Sequence, residues 1–216
     1  MKSVYAPRGR RERAKEEKLK RILSAASYLL AKEGINSVTT QQVADKADIA
    51  IGTLYLYAGT KAELLIMVQN QKFATAIEEG LAADTLIKGP EPHPVRDLMA
   101  LIDPVLTCIR EHPENGRTYM HELVFGDPAE PHRAEGLAHA QRWEQGMRKV
   151  LSEYAGLDAA ILARVITSIV HVTATATMYL DDSLPVIRAN VEQQIAAILP
   201  RETNLYLKEN FHEHQH

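Results

Sequence analysis

The stretch "TTQQVADKADIAIGTLYLYAGTKAEL", residues 39–64, decides how the chain is read. Thr39 followed three residues later by Gln42 is a capping-box pattern, in which each side chain satisfies a backbone donor that the start of a helix leaves orphaned. The spacing predicts a helix over 40–47. "DIA", residues 48–50, is long enough only for a tight connection, and a second short helix follows over 51–57. Gly59 breaks it, and Thr60 with Glu63 repeats the capping box to open a long helix through Leu64, Leu65, Val68, Ile77 and Leu81. The middle helix is small and polar, with Tyr55 and Tyr57 where the pattern offers nothing to bury them.

Working outward, Leu19, Ile22, Leu23, Ala26, Leu29 and Leu30 recur at helical spacing and Gly34 supplies a stop, which makes a preceding helix. Downstream, "KGPEPHP" (88–94) reads as a loop before a helix over 95–111, and Pro113 starts the next, to 125. "GDPAEPH" (126–132) is a further loop, followed by a helix over 133–154 that Gly156 ends. Asp158 caps an apolar helix over 159–180, and a last one covers 185–199 before a frayed tail. Strand alternation is missing throughout, so the fold class expected is all-α. Three parts are anticipated: 1–62 with a basic N-terminal arm, a larger helical body over 63–200, and a flexible tail over 201–216.

Composition narrows the classes. With 45% hydrophobic and 25% charged residues the chain has the make-up of a globular protein. Cys108 is its single cysteine, which excludes an intrachain disulfide and suits a reducing cytoplasm. The basic opening "MKSVYAPRGRRERAKEEKLKR" has no apolar segment behind it, so a secretory signal is not expected. Residues 161–180 have the length of a membrane span, but Arg164, Ser168, His171 and four threonines dilute them, and burial in a core or interface is the reading. The net charge of −3 hides an asymmetry: residues 1–62 hold twelve Lys or Arg against six Asp or Glu, and the rest holds thirteen against twenty-two. A basic module on an acidic body offers only the module to a polyanion.

Two helices joined by a tight turn, the second short and polar, form a helix-turn-helix, whose second helix enters the major groove of duplex DNA. Val43, Ala44, Ala47, Ile49 and Leu54 are the apolar contacts that hold the pair against the preceding helix.

At these residues the sequence resembles the TetR family of bacterial transcriptional regulators. "KEGINSVTTQQVADKADIAIGTLYLYAGTKAEL" follows the family's order of "EG", an apolar-Thr-Thr stretch, "VA", a turn, "GTLYxYF" and "SKxEL", across roughly residues 19–65. The resemblance implies that Thr40 contacts phosphate and Gln41 reads a base. It also implies that Ile51, Gly52, Thr53, Tyr55, Leu56 and Tyr57 form the groove-facing stretch, with Tyr57 and Lys61 on phosphates. Gly52 is expected to permit close approach to DNA or to the preceding helix. Arg8, Arg10, Arg11 and Arg13 of the arm are candidates for the minor groove or backbone. Two departures stand out: Ala50 replaces the usual Ser or Thr cap, and Ala58 replaces an aromatic core plug.

One such module reads few base pairs, so a homodimer on a two-fold operator, with half-sites about 34 to 36 Å apart, is expected. The resemblance implies a four-helix dimer interface from the last two helices, with Ile187, Val191, Ile195 and Ile198 as its stripe. It also implies a small-molecule effector pocket in the body, for which Met99, Cys108, His112, Tyr119, His121, Phe125, Trp143, Met147, His171 and Met178 are candidates. His212, His214 and His216 in "HEHQH" could hold a divalent ion loosely, without the fixed geometry of a structural site. No HExxH, phosphate loop or G-x-S-x-G motif is present, so neither enzyme nor cofactor is expected. The reading is a cytoplasmic, ligand-released repressor. Its alternative is a small-molecule binding protein whose DNA module Ala50 and Ala58 have degraded.

Overall fold

A computed structural model describes residues 9–86, 93–154 and 158–200, with the backbone alone over 84–86. Among them lie α1 (Arg10–Ser37), α2 (Thr40–Lys46), α3 (Ile51–Leu54), α4 (Lys61–Leu86), α5 (Pro94–Arg110), α6 (Pro113–Phe125), α7 (Pro131–Ser152), α8 (Ala159–Thr175) and α9 (Leu184–Ile198). Contacts divide the chain into two compact units between Val68 and Gln69, inside α4. Most of the expected 88–94 loop, the stop at Gly156, Arg8 and the histidine-rich tail lie outside the described residues.

In the first unit, α1 buries Ile22, Ala25, Ala26, Leu29 and Leu30, and α2 and α3 add Val43, Ala44 and Leu54 to the same core. Gly34 breaks α1 at φ 74°, a left-handed conformation that favours glycine, and its carbonyl accepts from the Val38 N–H at 3.2 Å. The start of α1 differs from expectation by nine residues. "RRERAKEEK" has no apolar stripe, but its Arg, Lys, Glu and Ala are strong helix formers that extend a helix already nucleated downstream.

The second unit is built around α5, which packs on α6, α7, α8 and α9. Leu98, Leu101, Ile102, Val105, Met147, Ile166, Val170, Ile187, Val191 and Ile195 form its core. Buried polar groups are held in networks. Tyr119 donates from its hydroxyl to Asn70 Oδ1 (2.8 Å), and Asn70 Nδ2 donates to the His132 carbonyl (2.8 Å). Tyr154 donates to Asp97 Oδ2 (2.5 Å), whose other oxygen accepts from Arg96 Nε (2.9 Å).

The apolar helix expected over 159–180 ends at Thr175 instead. Ala176 turns extended (ψ 143°), and a 3-10 turn over Thr177–Tyr179 follows. Buried Arg110 closes this break. Its Nη1 donates to the Ala174 carbonyl (3.2 Å) and its Nη2 to those of Leu180 (3.0 Å) and Asp182 (2.5 Å). The positive guanidinium thus meets the negative end of the α8 dipole and satisfies carbonyls that the interrupted helix leaves free.

The expected dimer stripe is corrected as well. Ile187, Val191 and Ile195 are wholly buried within the single chain, where α9 packs on α5 and α8, and Ile198 is partly exposed. The stripe is core because α9 is apolar on two sides. Its opposite side carries Val186, Ala189, Ala196 and Ala197, all exposed. On α8, Ile161, Val165 and Val172 are exposed likewise.

Candidate nucleic-acid interface

Thr39 takes up the capping box: its Oγ1 accepts from the Gln42 N–H (3.2 Å), and its own N–H donates to Gln42 Oε1 (2.7 Å). This fixes where α2 begins, and with it the two residues at its exposed end. Thr40 Oγ1 lies 3.3 Å from the Tyr55 hydroxyl, a hydrogen bond between the first turn of α2 and the end of α3. Gln41 is exposed and donates to Asp45 Oδ1 (2.7 Å), one turn on.

The turn between the helices places Asp48 at φ 53°, a left-handed conformation that Asp tolerates better than most residues. The Ile49 N–H returns to the Ala44 carbonyl at 3.1 Å. Ala50 caps α3 without a side-chain bond, as its sequence implies, and the Ala50 carbonyl accepts from Thr53 and Leu54. The helix proper is one turn, Ile51–Leu54, and continues as turns to Tyr57, so the expected 51–57 element is shorter in its regular part.

Leu54 and Ala58 point into the core, while Tyr55 is 50% and Leu56 83% exposed. Ile51, Thr53, Tyr57 and Lys61 are half-buried at the margins. A Cβ added to Gly52 would meet no atom within 4 Å, which removes the expected close approach to the preceding helix and leaves an open surface. Tyr57 donates from its hydroxyl to the Lys15 carbonyl (3.3 Å) and so ties the end of α3 to the first turns of α1. Arg10, Arg11 and Arg13 are exposed there, in a helix instead of a loose arm. Glu63 completes the next cap by accepting from the Gly59 N–H (2.6 Å), while the Glu63 N–H donates to Thr60 Oγ1 (3.1 Å).

The ten residues expected to line a pocket do not share one environment. Met99, Tyr119, Trp143 and Met147 are buried in packed core, with Trp143 Nε1 donating to the Leu101 carbonyl at 3.3 Å. Phe125 and Met178 are instead exposed on the surface, and His121 stacks on Phe125 with ring centroids 5.0 Å apart. Phe125 is the last residue of α6 and Met178 lies in the 3-10 turn after α8, where helix packing stops, so neither faces an interior that the resemblance would line with them. His112 is half-buried at the cap of α6, with Nδ1 inaccessible and unpartnered. His171 is half-buried on α8, where desolvation lowers its pKa. Cys108 lines a groove of about 390 Å³ with Lys72, Thr75, Pro104 and Glu111, and burial pushes its thiol up to about 11. Arg110 escaped sequence reading because its three acceptors lie 64 to 72 residues away and are backbone carbonyls, which carry no side-chain signal.

The first unit also matches known proteins. A sequence model described as "Bacterial regulatory proteins, tetR family" covers residues 22–68. The chain is 27% identical over 114 residues to the HTH-type transcriptional repressor KstR of Rhodococcus jostii (strain RHA1), covering 53% of this chain and 51% of that protein. It is 41% identical over 61 residues to KstR of Mycobacterium tuberculosis, 28% of each. The matches therefore span about half or less of these relatives' length. The Thermus thermophilus FadR structure, described as a transcriptional repressor in complex with lauroyl-CoA, superposes with a TM-score of 0.60 at 18% identity, covering 84% of this chain and 95% of that one. That likeness extends the shared all-helical fold through the second unit. The family likeness is carried by residues 22–68, the capped helix-turn-helix of the first unit, which match the model of the tetR family of bacterial regulatory proteins.

Proposed function

We propose that the chain is a cytoplasmic transcriptional repressor that binds a two-fold operator as a homodimer and is released by a small-molecule effector held in its second unit. The observation that carries the reading is the exposed surface around Thr40, Gln41, Gly52, Tyr55 and Leu56, fixed by a capping box and set on a unit rich in positive charge. In this reading Gln41 exchanges its bond to Asp45 for one to a base edge. Thr40, Tyr57 and Lys61 meet phosphates, and Gly52 lets the backbone come close. Dimerisation uses the exposed face of α8 and α9, where Ile161, Val165, Val172 and Val186 supply apolar area and Ala189, Ala196 and Ala197 allow close helix packing. No helix among the described residues is long and apolar enough to cross a membrane. Because the Thermus neighbour holds lauroyl-CoA, acyl thioesters are the first effector class to test.

The test is selection of duplex DNA from a random pool by the full chain, followed by titration of variants. Gln41→Ala is expected to change sequence preference, and Lys61→Ala to weaken all sequences and flatten the salt dependence by about one unit. A chain that selects no sequence, or variants that bind as the parent does, refutes the proposal.

A further inference from the structure

Arg110, the last residue of α5, is the one buried lysine or arginine among the described residues, at 8% exposure. Buried cations are ordinarily paired with a carboxylate. This one pairs with none. Its Nη1 and Nη2 donate to three backbone carbonyls, and its enclosed Nε donates to nothing. A second unpaired nitrogen stands two residues on: His112 Nδ1 is as inaccessible as Arg110 Nε, and these two are the buried side-chain polar atoms without a partner among the described residues. Two residues of chain keep their Cα atoms within about 7.6 Å of each other. His112 also occupies the N-cap position of α6 without making a side-chain cap, so the positive end of a 13-residue helix begins at the same corner. A guanidinium without a counter-charge, an unpaired imidazole nitrogen and an uncapped helix start each favour an anionic acceptor.

The shape of the guanidinium narrows the class. Nε–H and one Nη2–H point the same way and make a fork that takes the two oxygens of a carboxylate. Here the Nε prong is free, while Nη2 is spent on the carbonyls of Leu180 (3.0 Å) and Asp182 (2.5 Å). A carboxylate on this fork takes Nε and displaces one of those carbonyls. The segment that carries them lies at the surface, with Thr177, Met178, Asp181 and Ser183 exposed, so the way in leads through a turn and not through packed core. Asp181 and Asp182 form no ion pair with Arg110, and their own charge opposes an anion, which makes binding weaker than the fork alone would give.

We infer that the corner between α5 and α6 is a carboxylate-binding site, with Arg110 and the Nδ1–H tautomer of His112 as its donors, and that its occupancy loosens the turn between α8 and α9. Its regulatory use rests on the effector reading above, since α8 and α9 carry the exposed faces proposed to pair. The binding itself needs no DNA.

The experiment uses the full chain, with acetate as the probe, acetamide as its uncharged isostere, and chloride to match ionic strength. Acetate is expected to raise the thermal midpoint saturably and to speed hydrogen exchange in amides 180–187, while acetamide and chloride do neither. Arg110→Lys keeps the charge without the fork and is expected to abolish the response. Should that variant fail to fold, His112→Phe carries the test: it keeps a ring, removes Nδ1, and is expected to raise the half-saturating acetate concentration about tenfold. Asp182→Asn, which removes an opposing charge, is expected to lower it. A midpoint that rises equally with acetamide, a rise that does not saturate, or an unchanged half-saturation in His112→Phe overturns the site. Phosphate that acts at a lower concentration than acetate overturns the carboxylate class in favour of an inorganic ion. Affinity for the selected duplex is then measured with and without saturating acetate. A parent that binds acetate as described but holds its duplex unchanged loses the regulatory use and keeps the site, which separates failure of the effector reading from failure of the inference.

Discussion

Replacing Arg110 by Met removes a buried cation while keeping much of the side chain's bulk. Three hydrogen bonds from a charged donor, each about 1.5 to 3 kcal/mol, give a gross loss of roughly 4 to 9 kcal/mol. Against this stands the desolvation of a guanidinium that is 8% exposed, hydrogen-bonds only to carbonyls in these contacts and leaves Nε without a partner. That penalty is several kcal/mol and disappears with the charge. The difference leaves Arg110→Met less stable by about 2 to 3 kcal/mol, because three carbonyls around the α8 break lose their donor in a site shielded from water. Urea unfolding at fixed protein concentration measures this as a lower midpoint at unchanged slope. Hydrogen exchange locates it in amides 176–187. The control is Arg188→Met: Arg188 pairs with Asp103 on an exposed side of α9 and is worth under about 1 kcal/mol. If Arg110→Met is as stable as the parent or more so, the cost of burying the charge exceeds its bonds, and the clamp reasoning is wrong.

Other outcomes follow from single contacts. Thr39→Ala removes the α2 cap and costs about 1 kcal/mol, read as a lower midpoint in thermal unfolding. Gly116→Ala places a Cβ 2.0 Å from the Ile109 carbonyl oxygen, which is backbone and cannot give way, so destabilisation of about 3 kcal/mol or more is expected from denaturant titration. Gly52→Ala meets open space and leaves unfolding unchanged or slightly raised, yet weakens binding to selected DNA if the backbone must come close there. For Cys108, with its thiol pushed up to about 11 by burial, the thiolate is scarce at pH 8. Alkylation by iodoacetamide is therefore slow there and rises tenfold per pH unit until near that value; a midpoint near 9 refutes the buried environment.

How much the sequence discloses depends on whether the signal is local. The capping box of Thr39 and Gln42, the uncapped Ala50 and the start of α6 at Pro113 are all written within four residues, and the structure has them where the spacing puts them. The end of α8 is not local: "TATAT" contains no breaker, and the stop comes from Arg110 far away in sequence. Burial direction on α9 is invisible for another reason. Periodicity reports that a face is apolar, and here two faces are, so it does not say which one meets α5. The exposed surface just after α3 is legible because Tyr55 and Leu56 in a short, polar element conflict with simple burial.

α9 has one further property. Its only charges, Arg188 and Glu192, sit one turn apart on the narrow seam between its inner and outer apolar sides. Gln193 is the exposed polar side chain within the outer side itself, at helical spacing from Val186, Ala189, Ala196 and Ala197. The pairing proposed above would cover that outer side, so dilution is expected to expose it to water and, with heating, to favour non-specific association.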